Sequence, residues 1–529
     1  MGKIRYLSLV AMGWCLLGCG RTDDTRTEGM SVAGVAPLGN DLAYVQANGV
    51  VQRLTVTSDA PSPVTSKATI TSHPRLLEKR PYAAGAEPVD ELLVVSDGRS
   101  DDYGQALEGP ALTAINANGE QRVYALADVG QQMKVSEDGQ YAILFNDPSY
   151  QDTTSLLTNP GEVAIVDLSA PGQSPTIRNL DTVGGAPNGV WYLTLTVGVS
   201  ERRFAFFTFP EGVSLIDLSA PTQAGKKFEL SGWLPSGGIN PNSGFAVAVS
   251  PNSNEIYLKT NTSKYVETIT VQANDTDPSG VDVSLKQLTV GNVAPGAIDV
   301  YADKVGTQLV ATLNNAVALV ATDEDSVTTV GLTYPADQIL RFTGAAPDDP
   351  TPKQRALLYS MGQKGVTFVN LESLAKDTDR AVQAVDFGQS ISAIRQVEFM
   401  GQQVLVFFAN GGVDILDLVT RRWVPVDSPV ALNIVVADAN SRVWVSNPGE
   451  RRIAYLEFSN EDNHSNFTVK HTVELDDAIQ RFYRMDGLNH RVVVTHDQVG
   501  GAVTLLDADN PQRSSAKKLE GFLFSDLYD

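Results

Sequence analysis

The sequence predicts an all-β chain, a β-propeller of four-stranded antiparallel blades, on three observations. A short motif recurs at about 50 residues or multiples of it, strands rich in β-branched and aromatic residues flank each copy, and turn residues separate them at regular intervals. The motif is clearest in GEVAIVDLSAP from Gly161 and EGVSLIDLSAP from Glu211, with looser copies KGVTFVNLESL from Lys364, GGVDILDLVTR from Gly411 and GGAVTLLDADN from Gly500. Each copy has a turn residue, an apolar strand and a closing polar residue, namely Asp167, Asp217, Asn370, Asp417 or Asp507.

Strands near Leu54, Ala114, Ile269, Leu319 and Tyr455 fill the missing multiples. Upstream of most copies lies a second strand, such as 141–145, 204–209, 356–359, 404–408 and 492–495. Before that comes a first strand ending in a turn, as in Val135-Ser136-Glu137-Asp138-Gly139 and in Val247 to Asn252. The unit is therefore four strands joined by turns, and ten units follow one another over 32–529. Ten exceeds the usual range of about four to eight blades. One large ring, two rings, or a hairpin counted as a blade all meet the count, and a single ring is the reading adopted.

The N-terminus has a different character. Lys3 and Arg5 precede an apolar run from Tyr6 to Leu17, the order of charge then grease found in an export signal and too short for a membrane-spanning helix. The run ends in Leu16-Leu17-Gly18-Cys19, which resembles the bacterial lipobox. That resemblance implies removal of residues 1–18, lipid on Cys19 and anchorage in the cell envelope, and Gly20 after the cysteine implies outer-membrane sorting. Cys15 follows Trp14, too bulky for a residue before the cut. Residues 19–31 are polar and aperiodic, suiting a lipidated tether. The mature chain then has no thiol left for a disulfide or for cysteine catalysis, since the chain has two cysteines in all.

A formal charge of -22 disfavours nucleic acid and anionic lipid surfaces as partners. The expected partners are the membrane, through the lipid, and protein or polysaccharide components of the envelope. The copies at Gly161 and Glu211, with their Asp-Leu-Ser-Ala-Pro endings, also resemble the LVIVP repeat of bacterial surface propellers. This implies a cell-envelope setting and no particular activity.

The search for chemistry gives binding candidates rather than a catalytic motif. His73 reads as a turn residue, and His464, His471, His490 and His496 have no ligand spacing. Asp275, Asp277, Ser279 and Asp282 alternate on a short loop with Gly280, a pattern that would suit calcium but lacks a closing glutamate. An acidic hairpin turn is the plainer reading of the same residues. Asp97, Asp101 and Asp102, then Asp147 and Asp152, lie in insertions between the second and third strands of consecutive units. Those loops, and the blade-to-blade connection that holds Trp233, are expected on one face.

The leading expectation is a non-catalytic binding or scaffolding lipoprotein. The alternatives are a metal-dependent propeller enzyme, lactonase-like or glycan-acting, and a periplasmic assembly factor for outer-membrane proteins.

Overall fold

The structure is a computed structural model. It describes residues 31–524 apart from 57–60, 63–66, 82–89, 101–104, 128–129, 147–158, 181–185, 230–245, 251–253, 375–380, 397–402, 427–432, 437–441, 485–490 and scattered gaps of one to three residues. Ten antiparallel blade sheets follow one another along the chain, nine of four strands and the first of five, in agreement with the predicted architecture, and a separate two-stranded hairpin stands beside the second. The blades span 32–69, 74–125, 132–179, 189–229, 246–289, 298–336, 338–386, 391–426, 433–474 and 479–520. Helix among the described residues is confined to Leu371–Leu374 and two short 3-10 turns.

Within a blade the strands run outward in chain order. The first strands of adjacent blades contact one another, as Val32–Leu38 does Pro74–Lys79 and as Asn433–Val436 does Ile479–Arg484, which places them innermost. The second and third strands lie between neighbouring blades and are buried on both faces. Glu91–Ser96, Gly212–Asp217 and Gln403–Phe408 are buried at every residue, so they read as nearly continuous apolar runs. Outer strands, such as Thr176–Asn179, alternate between half-buried and exposed.

Blade packing follows from the two-residue period of a strand. In Ser200–Phe209 of blade 4, Phe204 and Phe206 join Ile256, Leu258 and Ile269 of blade 5, while Ala205, Phe207 and Phe209 join Ile143, Val163 and Ile165 of blade 3. Each of these phenylalanines is fully buried. Burial at that level contributes roughly 2–3 kcal/mol per side chain.

The closing polar residue of the repeat has a local cause. Asp167 Oδ1 accepts hydrogen bonds from Ser169 N (2.9 Å) and Ser169 Oγ (2.6 Å), and Asp217 Oδ1 does the same with Ser219. Asp417 accepts from the amides of Val419 and Thr420, and Asp507 from that of Asp509. The aspartate thus forms the turn from third to fourth strand with its own side chain.

The ring closes without sharing a strand between the chain ends. Leu42, Tyr44, Leu54 and Val56 of blade 1 pack on Val493, Val503, Leu505, Phe522 and Leu523 at the other end of the chain. Gln52 Nε2 donates to the Phe522 carbonyl (2.8 Å), and Tyr483 Oη donates to the Val35 carbonyl (2.9 Å). Mid-chain the packing is equally continuous, with Tyr257 and Val266 of blade 5 in one cluster with Val300 and Leu309 of blade 6. The ten units therefore form one ring, as adopted from the sequence.

Candidate functional site

The first strands are built unlike the rest of the blade. They meet their neighbours on two sides and leave a backbone edge toward the axis. In four of the ten, the ladder slips at the second residue. Val32 and Gly34 pair with Gln46 and Val45, Pro74 and Leu76 with Ser96 and Val95, Ile391 and Ala393 with Phe408 and Phe407, and Ile479 and Arg481 with His496 and Thr495. The residues left out of register, Ala33, Arg75, Ser392 and Gln480, are all exposed. Such bulges bend a strand and re-aim its side chains.

Charge is also reversed there. The ten first strands carry Arg75, Lys79, Lys134, Arg341, Arg395, Arg481 and Arg484 against only Glu78 and Asp299, in a chain of net charge -22. Asp299 is taken up by Arg341, whose Nε lies 2.7 Å from Oδ2. The innermost strands therefore carry a basic excess within an acidic chain.

A cavity of about 250 Å³ opens where the first strands of blades 10, 1 and 2 meet. Ala33, Gly34, Val35 and Ala36 form one wall, and the blade 1 strand has no side chain larger than valine before Leu38, which leaves the space open. Arg481 lines it from blade 10, and Arg75, Leu77, Glu78 and Lys79 from blade 2. Arg75 is held at its bulge by Asp97, 3.4 Å from Nε, and by the Gly130 carbonyl, 2.9 Å from Nη2. Lys79 Nζ lies 3.2 Å from Asp90. Burial pushes the Glu78 carboxyl above the usual carboxylate range, with Lys134 of blade 3 pulling it back. Lys134 is lowered by burial against the pull of Glu137 and Glu78, and its ammonium stands 5.7 Å from the Trp191 ring centre.

A second cleft of about 240 Å³ lies between blades 3 and 4, lined by Ser136, Glu137, Asp138, Tyr141, Tyr192 and Arg203 among others. Its polar groups are largely spent on one another. Arg203 pairs with Asp138 at 2.5 Å, and Tyr192 Oη donates to the Lys134 carbonyl at 2.7 Å.

Of the residues singled out from sequence, Asp97 belongs to the basic cavity indirectly, because it positions Arg75. It opens the predicted insertion between the second and third strands of blade 2. That insertion carries a small hairpin, Arg99–Ser100 with Ala106–Glu108, and Glu108 accepts from the Ser72 amide. Asp101, Asp102, Asp147, Asp152, Trp233 and Cys19 lie outside the described residues.

Asp275, Asp277, Ser279 and Asp282 occupy the hairpin between Tyr265–Ala273 and Val281–Thr289 of blade 5. There Lys226 of blade 4 supplies the cation: its Nζ is 2.5 Å from Asp277 and 3.3 Å from Asp282. Asp277 also accepts from Ser279 N and Oγ, while Asp275 points to solvent. The Lys226 and Ser279 bonds hold the Asp277 carboxyl well below the usual range. As arranged, Asp277 and Asp282 hold a lysine, and Asp277 makes a turn with Ser279.

His73 sits in a left-handed turn (φ 57°) with Nδ1 2.7 Å from the Gly98 carbonyl oxygen, as its reading as a turn residue expected. His496 is buried, bonded to the Ala478 carbonyl and Thr504 Oγ1, and desolvation lowers its pKa. The sequence reading missed the basic cavity. Its one-dimensional signal is faint: arginines and lysines in strands that otherwise read as apolar.

No family model matches the chain, and no curated protein matches it. Solved structures similar to it include apo AztD from Citrobacter koseri, at 12% identity over 70% of this chain and 93% of that one, with a TM-score of 0.32. Another is dihydro-heme d1 dehydrogenase NirN in complex with DHE, at 12% identity over 75% and 78%, with a TM-score of 0.37. Likeness at that level carries no functional argument, and the propeller rests on this chain's own ten sheets.

Proposed function

We propose that this chain is a non-catalytic binding propeller of the bacterial cell envelope, tethered to the outer membrane through lipid on Cys19, with its loop-bearing face docking a protein or polysaccharide partner. The observation that carries this reading is geometric. Antiparallel alternation within every blade sends the connection between second and third strands, and the link to the next blade, to the same side of the ring. Ser96, Phe145 and Glu229, the last strand residues before the insertions of blades 2 and 3 and before the link from blade 4 to blade 5, therefore end on one side of a scaffold whose blades are locked by buried apolar clusters. Long loops on a rigid frame are where binding concentrates.

The rim competes less well as a docking surface. Val123, Ile177, Leu285 and Val327 are exposed on outer strands, but each stands on a different blade rather than in one patch. The test is protease treatment of intact cells beside lysed cells and a Cys19→Ala variant, with the body followed by immunoblot. Cleavage on intact cells, and release of the Cys19→Ala form, is the expected result. Protection until lysis would shift the role to periplasmic assembly, and a Cys19→Ala protein that stays with the membrane would refute the lipid tether.

A further inference from the structure

We propose that the cavity between blades 10, 1 and 2 binds a small organic polyanion, a molecule with two or more carboxylate or phosphate groups, gripped between Arg481 and Arg75. Three observations converge on it. The first strands reverse the charge of the molecule. The bulge at the second residue of Pro74–Lys79 turns Arg75 out of register, and Asp97 with the Gly130 carbonyl fixes its direction. Between the two arginines stands a wall of alanine, glycine and valine, which leaves about 250 Å³ open.

Guanidinium groups meet carboxylate and phosphate through paired N–H donors, and a fixed arginine loses little freedom on binding. The volume falls just under the roughly 300–1,000 Å³ of drug-sized sites, which suits a metabolite-sized ligand. Glu78, the carboxylate on the same wall, is offset by Lys134 of blade 3. The acidic exterior does not forbid this, since charges beyond about 8 Å are largely screened at physiological salt. The site is independent of the proposed docking face, and a failed surface-exposure experiment leaves it untouched.

The experiment is calorimetric titration of the full-length chain in detergent with citrate and, separately, with pyrophosphate, which distinguishes carboxylate from phosphate ligands. At least one probe is expected to bind. Arg481→Gln and Arg75→Gln should each weaken that binding about tenfold or more, whereas Arg395→Gln, on a first strand outside the cavity, should change it by less than about twofold. Arg481→Lys keeps the charge and loses the fork, so it should fall between; it also carries the test if Arg481→Gln does not fold. Silence of both probes up to about 10 mM, or equal losses in Arg395→Gln and Arg481→Gln, would overturn the proposal.

Discussion

Residues 161–171 and 211–221 are close copies in sequence, and the turns at 167–170 and 217–220 are the same, yet their aspartates stand in different electrostatic settings. In both, Oδ1 caps the turn through the serine two residues on. Asp217 is 6% exposed and gives its other oxygen to Arg202, whose Nε lies 2.8 Å away. Asp167 is half-buried and has no such partner among the described hydrogen bonds.

The neighbouring strand explains the difference. Asp217 pairs across the ladder with Phe204, two residues after Arg202, whereas Asp167 pairs with Tyr141, two residues after Gly139. Gly139 adopts φ +68°, and a β-carbon there would collide with the Pro81 carbonyl. Arg80 fills that junction instead, donating from Nε to the Gly139 carbonyl (2.6 Å) and pairing with Glu91 (2.5 Å). Identical local sequence thus gives an identical turn, while the charge network belongs to the strand alongside.

The sharpest way to break this comparison is to delete both aspartates in turn. Asp217→Ala strands Arg202 in a partly buried site and should cost about 3 kcal/mol, against about 1 kcal/mol for Asp167→Ala, which loses only the turn bonds. Urea denaturation of the two variants decides it, and equal losses would show that the ion pair contributes nothing beyond the turn. Gly139→Ala comes next. Positive φ and the clash with backbone at Pro81 should together cost about 2 kcal/mol, read as a lowered melting temperature.

The smallest effect concerns the position three residues before the closing aspartate. It is Ala164 in one copy and Ser214 in the other, but Asp414 in blade 8. Asp414 is 5% exposed, and burial pushes its carboxyl up to about 6. A raised carboxylate pKa means that its contribution is fully present below the unfolded value near 4 and is lost as pH rises through about 6. Asp414→Asn should therefore match the parent at pH 4 and exceed it at pH 7 by on the order of 1–2 kcal/mol. Urea midpoints at the two pH values check this, and the same gap at both would assign the effect to something other than ionisation.

Much of the architecture was legible because it repeats. The closing aspartates marked the third strands, since a side-chain-capped turn needs that residue type, and the strands placed at Leu54, Ala114, Ile269, Leu319 and Tyr455 are all third strands. The site was less legible. That Lys226 of the preceding blade reaches Asp277 and Asp282 was not legible, because nothing local to their loop shows it. Asp97 was noticed for its charge, but its role is to hold an arginine on a bulge.

Sequence by itself determined the strand period, the repeat length and the turn chemistry, because each depends on residues a few positions apart. Only the tertiary structure decided that ten units close as one ring, which first strands slip by a residue, and that Arg75 and Arg481 line one cavity. Ring closure brings the two ends of the chain together, and side chains that meet across it leave no pattern along the chain.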